Sequence, residues 1–144
     1  MIKSVIVPVF NEENNISTLL KKIESNIASE DEIIIIDDGS TDGTYDEIKN
    51  LKHIIIKHEI NLGKGRSIID AIKIAKGDLI IMIDGDGQDD PAEISKIING
   101  INKGYDFVIG SRFVEDENKK IKRFTKTALS TINWFGNKSL TMMI

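Results

Sequence analysis

An α/β fold, with a doubly wound, mainly parallel sheet and helices on both faces, is what this sequence predicts. Two observations carry the expectation. Short runs rich in Ile and Val alternate with segments of helical periodicity, and polar residues gather where the runs end. Alternation of strand and helix calls for crossover connections, which are right-handed and leave the strands parallel.

The elements follow in order. Residues Ile2 to Val7 form the first apolar run, closed by Pro8, and Glu12 to Ile27 places Ile16, Leu19, Leu20, Ile23 and Ile27 at helical spacing. Glu32 to Ile36 is the second strand, and Asp42 to Leu51 the second helix, introduced by the capping residues Ser40, Thr41 and Asp42. His53 to Lys57 reads as a third strand and Arg66 to Ala75 as a third helix. Asp78 to Ile83 reads as a fourth strand, Pro91 to Ile101 as a fourth helix and Asp106 to Ile109 as a fifth strand. At the start of the fourth helix Asp90 suits the N-cap, Pro91 the first helical position and Glu93 the first turn.

Composition narrows the function. The 144 residues suit one ordinary domain, and 19 Lys and Arg against 23 Asp and Glu give a net charge of -4, which argues against a general nucleic-acid binder. Cysteine is absent, so disulfides and thiolate metal sites are excluded. The apolar N-terminal run is too short for a signal peptide's core or a membrane span, so a soluble or peripheral protein is expected.

Ligands of such sheets bind outside the carboxyl ends of the strands. There the sequence carries Pro8 to Glu13, Asp37 to Gly43, Asp84 to Asp90, and Gly110, Ser111 and Arg112. Asp84 and Asp86, two positions apart, would lie roughly 6.6 Å apart on one face of extended backbone. Like charges so close repel unless a cation sits among them, and Mg²⁺ or Mn²⁺ takes one or two carboxylates together with substrate phosphates. Gln88 offers a further oxygen on the same face, and Gly85 and Gly87 allow close approach of a ligand or a turning backbone. Asp89 and Asp90 read instead as a helix cap. Of Asp37 and Asp38, at least one points into the cleft, where it could accept from a base N–H or a ribose hydroxyl.

These stretches (VPVFNEE, IIIIDDGSTDGT, NLGKG, GDLIIMIDGDGQDDP and VIGSR, in this order and spacing) resemble family 2 glycosyltransferases of the GT-A, Rossmann-like fold. The resemblance is strongest to the branch that moves a sugar from a nucleotide donor to a polyprenyl phosphate such as dolichyl or undecaprenyl phosphate. It implies that Pro8, Phe10 and Glu12, with Ile36, Asp37 and Asp38, bind the donor nucleotide. It implies that Asp84, Gly85 and Asp86 form the DxD signature, with Asp86, Gln88 and Asp84 toward Mg²⁺ or Mn²⁺, and that Asp86 and Arg112 act in catalysis. Phe10 stands where the family usually has Tyr, so ring stacking survives without a hydroxyl, and Gly87 replaces a commoner Leu.

The expected function is transfer of a sugar from a UDP- or GDP-sugar to an acceptor, a polyprenyl phosphate or a glycan, with inversion. The alternatives are a non-catalytic nucleotide-sugar binding module, a phosphohydrolase of the haloacid dehalogenase type and a receiver-like signalling domain. Residues 1–114 are expected to form the donor-binding core. Residues 115–144 read as a separate segment in which Lys119, Lys120, Lys122, Arg123 and Lys126 adjoin Phe124, Trp134 and Phe135. That composition suits either an interfacial helix on an anionic membrane, giving a cytoplasmic protein peripheral to the membrane's cytoplasmic face, or a helix packed on the sheet. Relatives continue with an acceptor-side segment, so the chain reads as the donor half of a site. Asn61 to Ser67 reads as a glycine turn opening the third helix, and His53 and His58 as structural.

Overall fold

A computed structural model describes residues 1–110 and the backbone of 139–143. Its strands are β1 (Lys3–Val9), β2 (Glu32–Asp37), β3 (Ile54–Lys57), β4 (Leu79–Met82), β5 (Ile109–Gly110) and β6 (Ser139–Met143). Its helices are α1 (Ile16–Glu24), α2 (Thr44–Ile48), α3 (Lys64–Ile74) and α4 (Ile94–Asn102). Among the described residues the sheet runs β3-β2-β1-β4-β6-β5 and every pairing is parallel. The chain steps from β1 to β2 to β3 in one direction and then returns past β1 to β4. The direction of winding therefore reverses between β1 and β4, where a doubly wound sheet opens its crevice.

Alternation along the strands sorts the core into two layers. Val5, Val7 and Val9 of β1, Ile33 and Ile35 of β2, and Leu79 and Ile81 of β4 pack with Ile16, Leu19, Leu20 and Ile23 of α1, Ile48 of α2, and Ile94 and Ile97 of α4. Ile6, Ile34, Ile36, Ile80 and Met82 point the other way, onto Ala71, Ile68 and Ile72 of α3. Strands buried on both faces must be apolar at every position, which is why the runs read as continuous Ile and Val.

The boundaries moved in instructive ways. The first strand continues through Pro8 to Val9 instead of closing at Val7. A proline inside a central strand normally forfeits a ladder bond. Here Ile6 O accepts from Ile83 N while Val9 O accepts from Asp38 N, so even positions of β1 face β4 and odd ones face β2. Pro8 therefore faces β4, and β4 ends at Met82 before it could offer a partner. The first helix is shorter than its apolar pattern, beginning at Ile16 after a turn in which Asn15 N and Ile16 N donate to Glu12 O. The second spans only Thr44–Ile48, and Asp42 accepts from Thr44 N at 3.0 Å, near its expected capping place. The fourth opens as a 3₁₀ turn over Pro91–Glu93 before α4, with Asp90 accepting from Ala92 N at 3.1 Å and Pro91 in the first turn, as expected. The fifth strand is reduced to Ile109–Gly110. Strand β6, between β4 and β5, had no counterpart in the sequence reading. Residues 111–138, with Arg112 and most of the basic and aromatic segment, lie outside the described residues.

Candidate functional site

The cleft lies at the carboxyl edge of β1 and β4, the reversal point, and encloses about 260 Å³. Pro8, Phe10 and Glu12 border it from β1, Asp38 from the end of β2, Gly63, Lys64 and Ser67 from the start of α3, and Asp84, Gly85 and Asp86 from the end of β4. Seven of the residues singled out from sequence therefore share one cavity. Ile36 and Asp37 do not border it: Ile36 is fully buried in the α3 layer, and Asp37, also fully buried, accepts Ser40 N at 2.9 Å through one oxygen. Gln88 is exposed and outside the lining.

The β1 and β2 loops are bound to each other. Asn11 N donates to Ser40 Oγ at 3.0 Å and Thr41 N to Asn11 Oδ1 at 2.8 Å. Glu12 N donates to Thr44 Oγ1 at 2.7 Å and Gly43 N to Glu13 Oε2 at 2.7 Å. This lacing holds Phe10 at the rim, 43% exposed, with a ring face available for stacking.

Asp38 is 3% exposed, and its carboxylate collects three N–H groups: His58 Nδ1 at 2.6 Å and Leu62 N at 3.0 Å on one oxygen, and Gly63 N at 2.8 Å on the other. Burial alone would raise its pKa. The hydrogen bonds from His58, Leu62 and Gly63 outweigh that and hold the carboxyl below the usual range. Behind it, His58 Nε2 lies 3.5 Å from Asp70 on α3. The Lys73 ammonium at 2.7 Å and the Arg66 guanidinium at 2.5 Å hold the Asp70 carboxyl down at about 2. A group with a lower pKa in the folded chain than its ordinary 3.8 stabilises the fold fully above that value, and loses its contribution as pH falls toward about 2. Asp38 acts in the same direction. Thermal unfolding is therefore expected to show a midpoint flat from about pH 7 to about pH 5 and falling below about pH 4, with a shallower fall in Asp70→Asn. An equally steep fall in that variant would refute the assignment.

The fourth strand end is a turn, not the extended backbone expected for Asp84 and Asp86. Asp86 Oδ1 accepts Gln88 N at 2.9 Å, Gly87 takes φ +72°, and Asp89 accepts Asp84 N at 3.3 Å. The left-handed φ explains the glycine at position 87. Asp89, read as a cap residue, folds back on the turn instead. Gly85 admits no side chain, since a Cβ would stand 2.5 Å from Val9 Cγ1 and 2.9 Å from Pro8 O. The turn thus lies against β1 and delivers both carboxylates to the cleft.

Lys64 was not singled out from sequence, where Asn61 to Ser67 read as a turn opening a helix. It does open α3, and Lys64 Nζ also lies 2.5 Å from Asp84 Oδ1. A signal was present: between each of the first four apolar runs and the helical segment that follows it, Lys64 is the only Lys or Arg. The cleft thus sets four carboxylates, Glu12, Asp38, Asp84 and Asp86, against one ammonium. Among the described residues no group of three or more His, Asp or Glu could hold a metal unaided. Asp84 and Asp86 do fit a hard divalent ion that completes its shell with water and substrate oxygens, since they are oxygen donors and few. No described helix is long and apolar enough to cross a membrane.

Comparison with known proteins gives the same assignment. The model of glycosyl transferase family 2 matches residues 4–143. The undecaprenyl-phosphate 4-deoxy-4-formamido-L-arabinose transferase of Aeromonas hydrophila is 34% identical over 139 residues, covering 90% of this chain and 41% of that protein. The UDP-N-acetylglucosamine–dolichyl-phosphate N-acetylglucosaminyltransferase of Methanococcus voltae is 34% identical over 143 residues, covering 85% of this chain and 56% of that one. The chain thus spans about half the length of these relatives or less. Glucosyl-3-phosphoglycerate synthase of Mycobacterium tuberculosis, solved with Mn²⁺, UDP and phosphoglyceric acid, superposes with a TM-score of 0.64 at 24% identity. It covers 78% of this chain and 44% of that one, a likeness of fold. With the sheet order, the cleft at its reversal point and the sequence match in agreement, this chain belongs to glycosyl transferase family 2.

Proposed function

We propose that this chain forms the donor side of a transferase that moves a sugar from a UDP- or GDP-sugar to a polyprenyl phosphate, using Mg²⁺ or Mn²⁺. The observation that carries the reading is the charge of the cleft. Four carboxylates facing one lysine would repel a nucleoside diphosphate unless a cation came with it. The acceptor class rests on the relatives, two of which are named for transfer to undecaprenyl and dolichyl phosphate.

The residues divide the work. Asp38, an ionised acceptor at the cleft wall, suits an N–H of the base or a ribose hydroxyl, and Phe10 offers a stacking face. Asp86 and Asp84 would hold the ion, which when bound would stabilise charge developing on the diphosphate. Lys64 stands beside Asp84, where its ammonium can turn to the same diphosphate oxygens. Arg112, outside the described residues, belongs to the proposal as a second cation. In the transfer, an acceptor phosphate oxygen forms a bond to the anomeric carbon as the bond to the diphosphate oxygen breaks. The electron pair leaves with the nucleotide. A lipid phosphate is already an anion near neutral pH, so no general base is required, and in-line attack inverts the anomeric centre. A place at the cytoplasmic face of a membrane, with the basic segment Lys119 to Lys126 toward the lipid, completes the proposal; residues 139–143, which pair as β6 between β4 and β5, are no part of that segment.

Calorimetry with UDP- and GDP-sugars, with and without Mn²⁺, tests the donor side, and product formation with a polyprenyl phosphate tests the transfer. Metal-dependent binding of a nucleotide sugar, followed by inverted product, is expected. Binding without product would leave a nucleotide-sugar binding module, and binding of neither donor would overturn both readings.

A further inference from the structure

We propose that His58 is a positioning residue for nucleotide recognition: it fixes the Asp38 carboxylate in the one orientation that serves the cleft. This rests on the transferase reading above. The imidazole is 9% exposed and lies between two carboxylates, with Nδ1 2.6 Å from Asp38 Oδ1 and Nε2 3.5 Å from Asp70 Oδ2. Asp38 accepts from Leu62 N and Gly63 N and its carboxyl is held in the ionised form, so it cannot donate. The proton in the short bond therefore sits on Nδ1, which fixes the tautomer toward Asp38 whatever Nε2 carries.

The orientation matters because Asp38 stands at the last turn of chain before the cleft. Its two oxygens are shared among three N–H donors that come from one loop, residues 58 to 63. A carboxylate has about four acceptor positions, so three donors leave one lone pair for a ligand. Leu62 N and Gly63 N are backbone groups of the loop and could follow the carboxylate if it rotated. The His58 ring cannot follow in this way, because its far edge abuts Asp70, which Arg66 and Lys73 tie to α3. The imidazole is thus the rigid member of the set, linking β2 to α3 behind the cleft. Removing it frees the Asp38 side chain while the backbone donors still hold the loop and Lys64.

Three variants test the role against a purely structural one. In His58→Asn the side-chain amide nitrogen falls near the place of Nδ1, in His58→Gln it reaches instead toward that of Nε2, and His58→Leu has no donor. Affinities for UDP, GDP and inorganic pyrophosphate, each with Mn²⁺, are measured by calorimetry, with melting midpoints recorded for each variant. Loss of a hydrogen bond to a charged group is expected to weaken nucleoside diphosphate binding by about 10- to 100-fold in His58→Leu and His58→Gln. His58→Asn is expected to recover most of it, and pyrophosphate binding is expected to stay as in the parent. Nucleotide affinity unchanged in a folded His58→Leu, no difference between Asn and Gln, or an equal loss of pyrophosphate binding would each overturn the role of His58. Failure of the parent chain to bind either nucleotide would instead overturn the transferase reading on which it stands.

Discussion

Asp86→Asn is expected to weaken Mn²⁺-dependent binding of UDP or GDP by about a hundredfold or more, because a metal-held diphosphate draws several kcal/mol from its carboxylate partners. The substitution is chosen so that the turn survives it. In the parent chain Asp86 Oδ1 accepts the Gln88 N–H at 2.9 Å, and an asparagine carbonyl oxygen accepts that bond equally well. What is removed is one negative charge at the cleft wall. The melting midpoint is expected to stay within about 2 °C, as for a surface substitution that breaks no structural contact. Calorimetry with and without Mn²⁺ separates the two contributions. If the variant bound the nucleotide as tightly as its parent in the presence of metal, Asp86 would have no part in holding the ion. The metal-free measurement supplies an internal check: with no cation present, loss of a carboxylate reduces repulsion, so residual affinity is expected to stay equal or rise.

Much of this site could be read from the sequence because the relevant information is local. A strand buried on both faces announces itself as an unbroken Ile and Val run, and where it stops, the next residues must stand at the sheet edge. That reasoning placed Asp84, Asp86 and at least one of Asp37 and Asp38 at the cleft without knowledge of strand order. It failed where the outcome depended on contacts between distant segments. Pro8 looked like a terminator, and only the early end of β4 allows the strand to pass through it. His58 looked like an ordinary strand-end histidine because its partners, Asp38 and Asp70, are brought to it by the β2–β3 pairing and by α3. Asp37 and Asp38 are neighbours in sequence, and the alternation of the strand sends one inside to hold Ser40 N and the other to the cleft. Strand β6 was hidden for a different reason: Ser-Leu-Thr-Met-Met has only one β-branched residue, so propensity alone says little.

Gly39→Ala is expected to be the most damaging small substitution in the described chain and to remove nucleotide binding with it. Gly39 has φ +73°, and a Cβ there would stand 2.4 Å from the carbonyl carbon of Ile60 and 2.6 Å from the nitrogen of Asn61. Both are backbone atoms, so no rotamer change relieves the clash. A left-handed alanine costs roughly 1–2 kcal/mol, and forcing a packed segment apart costs a further 1–3 kcal/mol or so. A loss of about 3 kcal/mol corresponds to a fall of roughly 10 °C in melting midpoint for a domain of this size. The displaced segment is the loop that supplies Leu62 N and Gly63 N to Asp38 and leads into Lys64. Any variant molecules that fold must therefore carry a misplaced nucleotide wall. Gly65→Ala is the control, four residues beyond Asn61: it lies in the first turn of α3 with no atom within 4 Å of its Cβ position. There alanine is expected to be neutral or stabilising by about 0.5–1 kcal/mol. Equal melting midpoints in the two variants would show that the β2 and β3 loops do not depend on the contact at Gly39. The expected contrast would show that a close backbone approach, invisible in composition, sets the spacing between the acidic wall and the lysine opposite it.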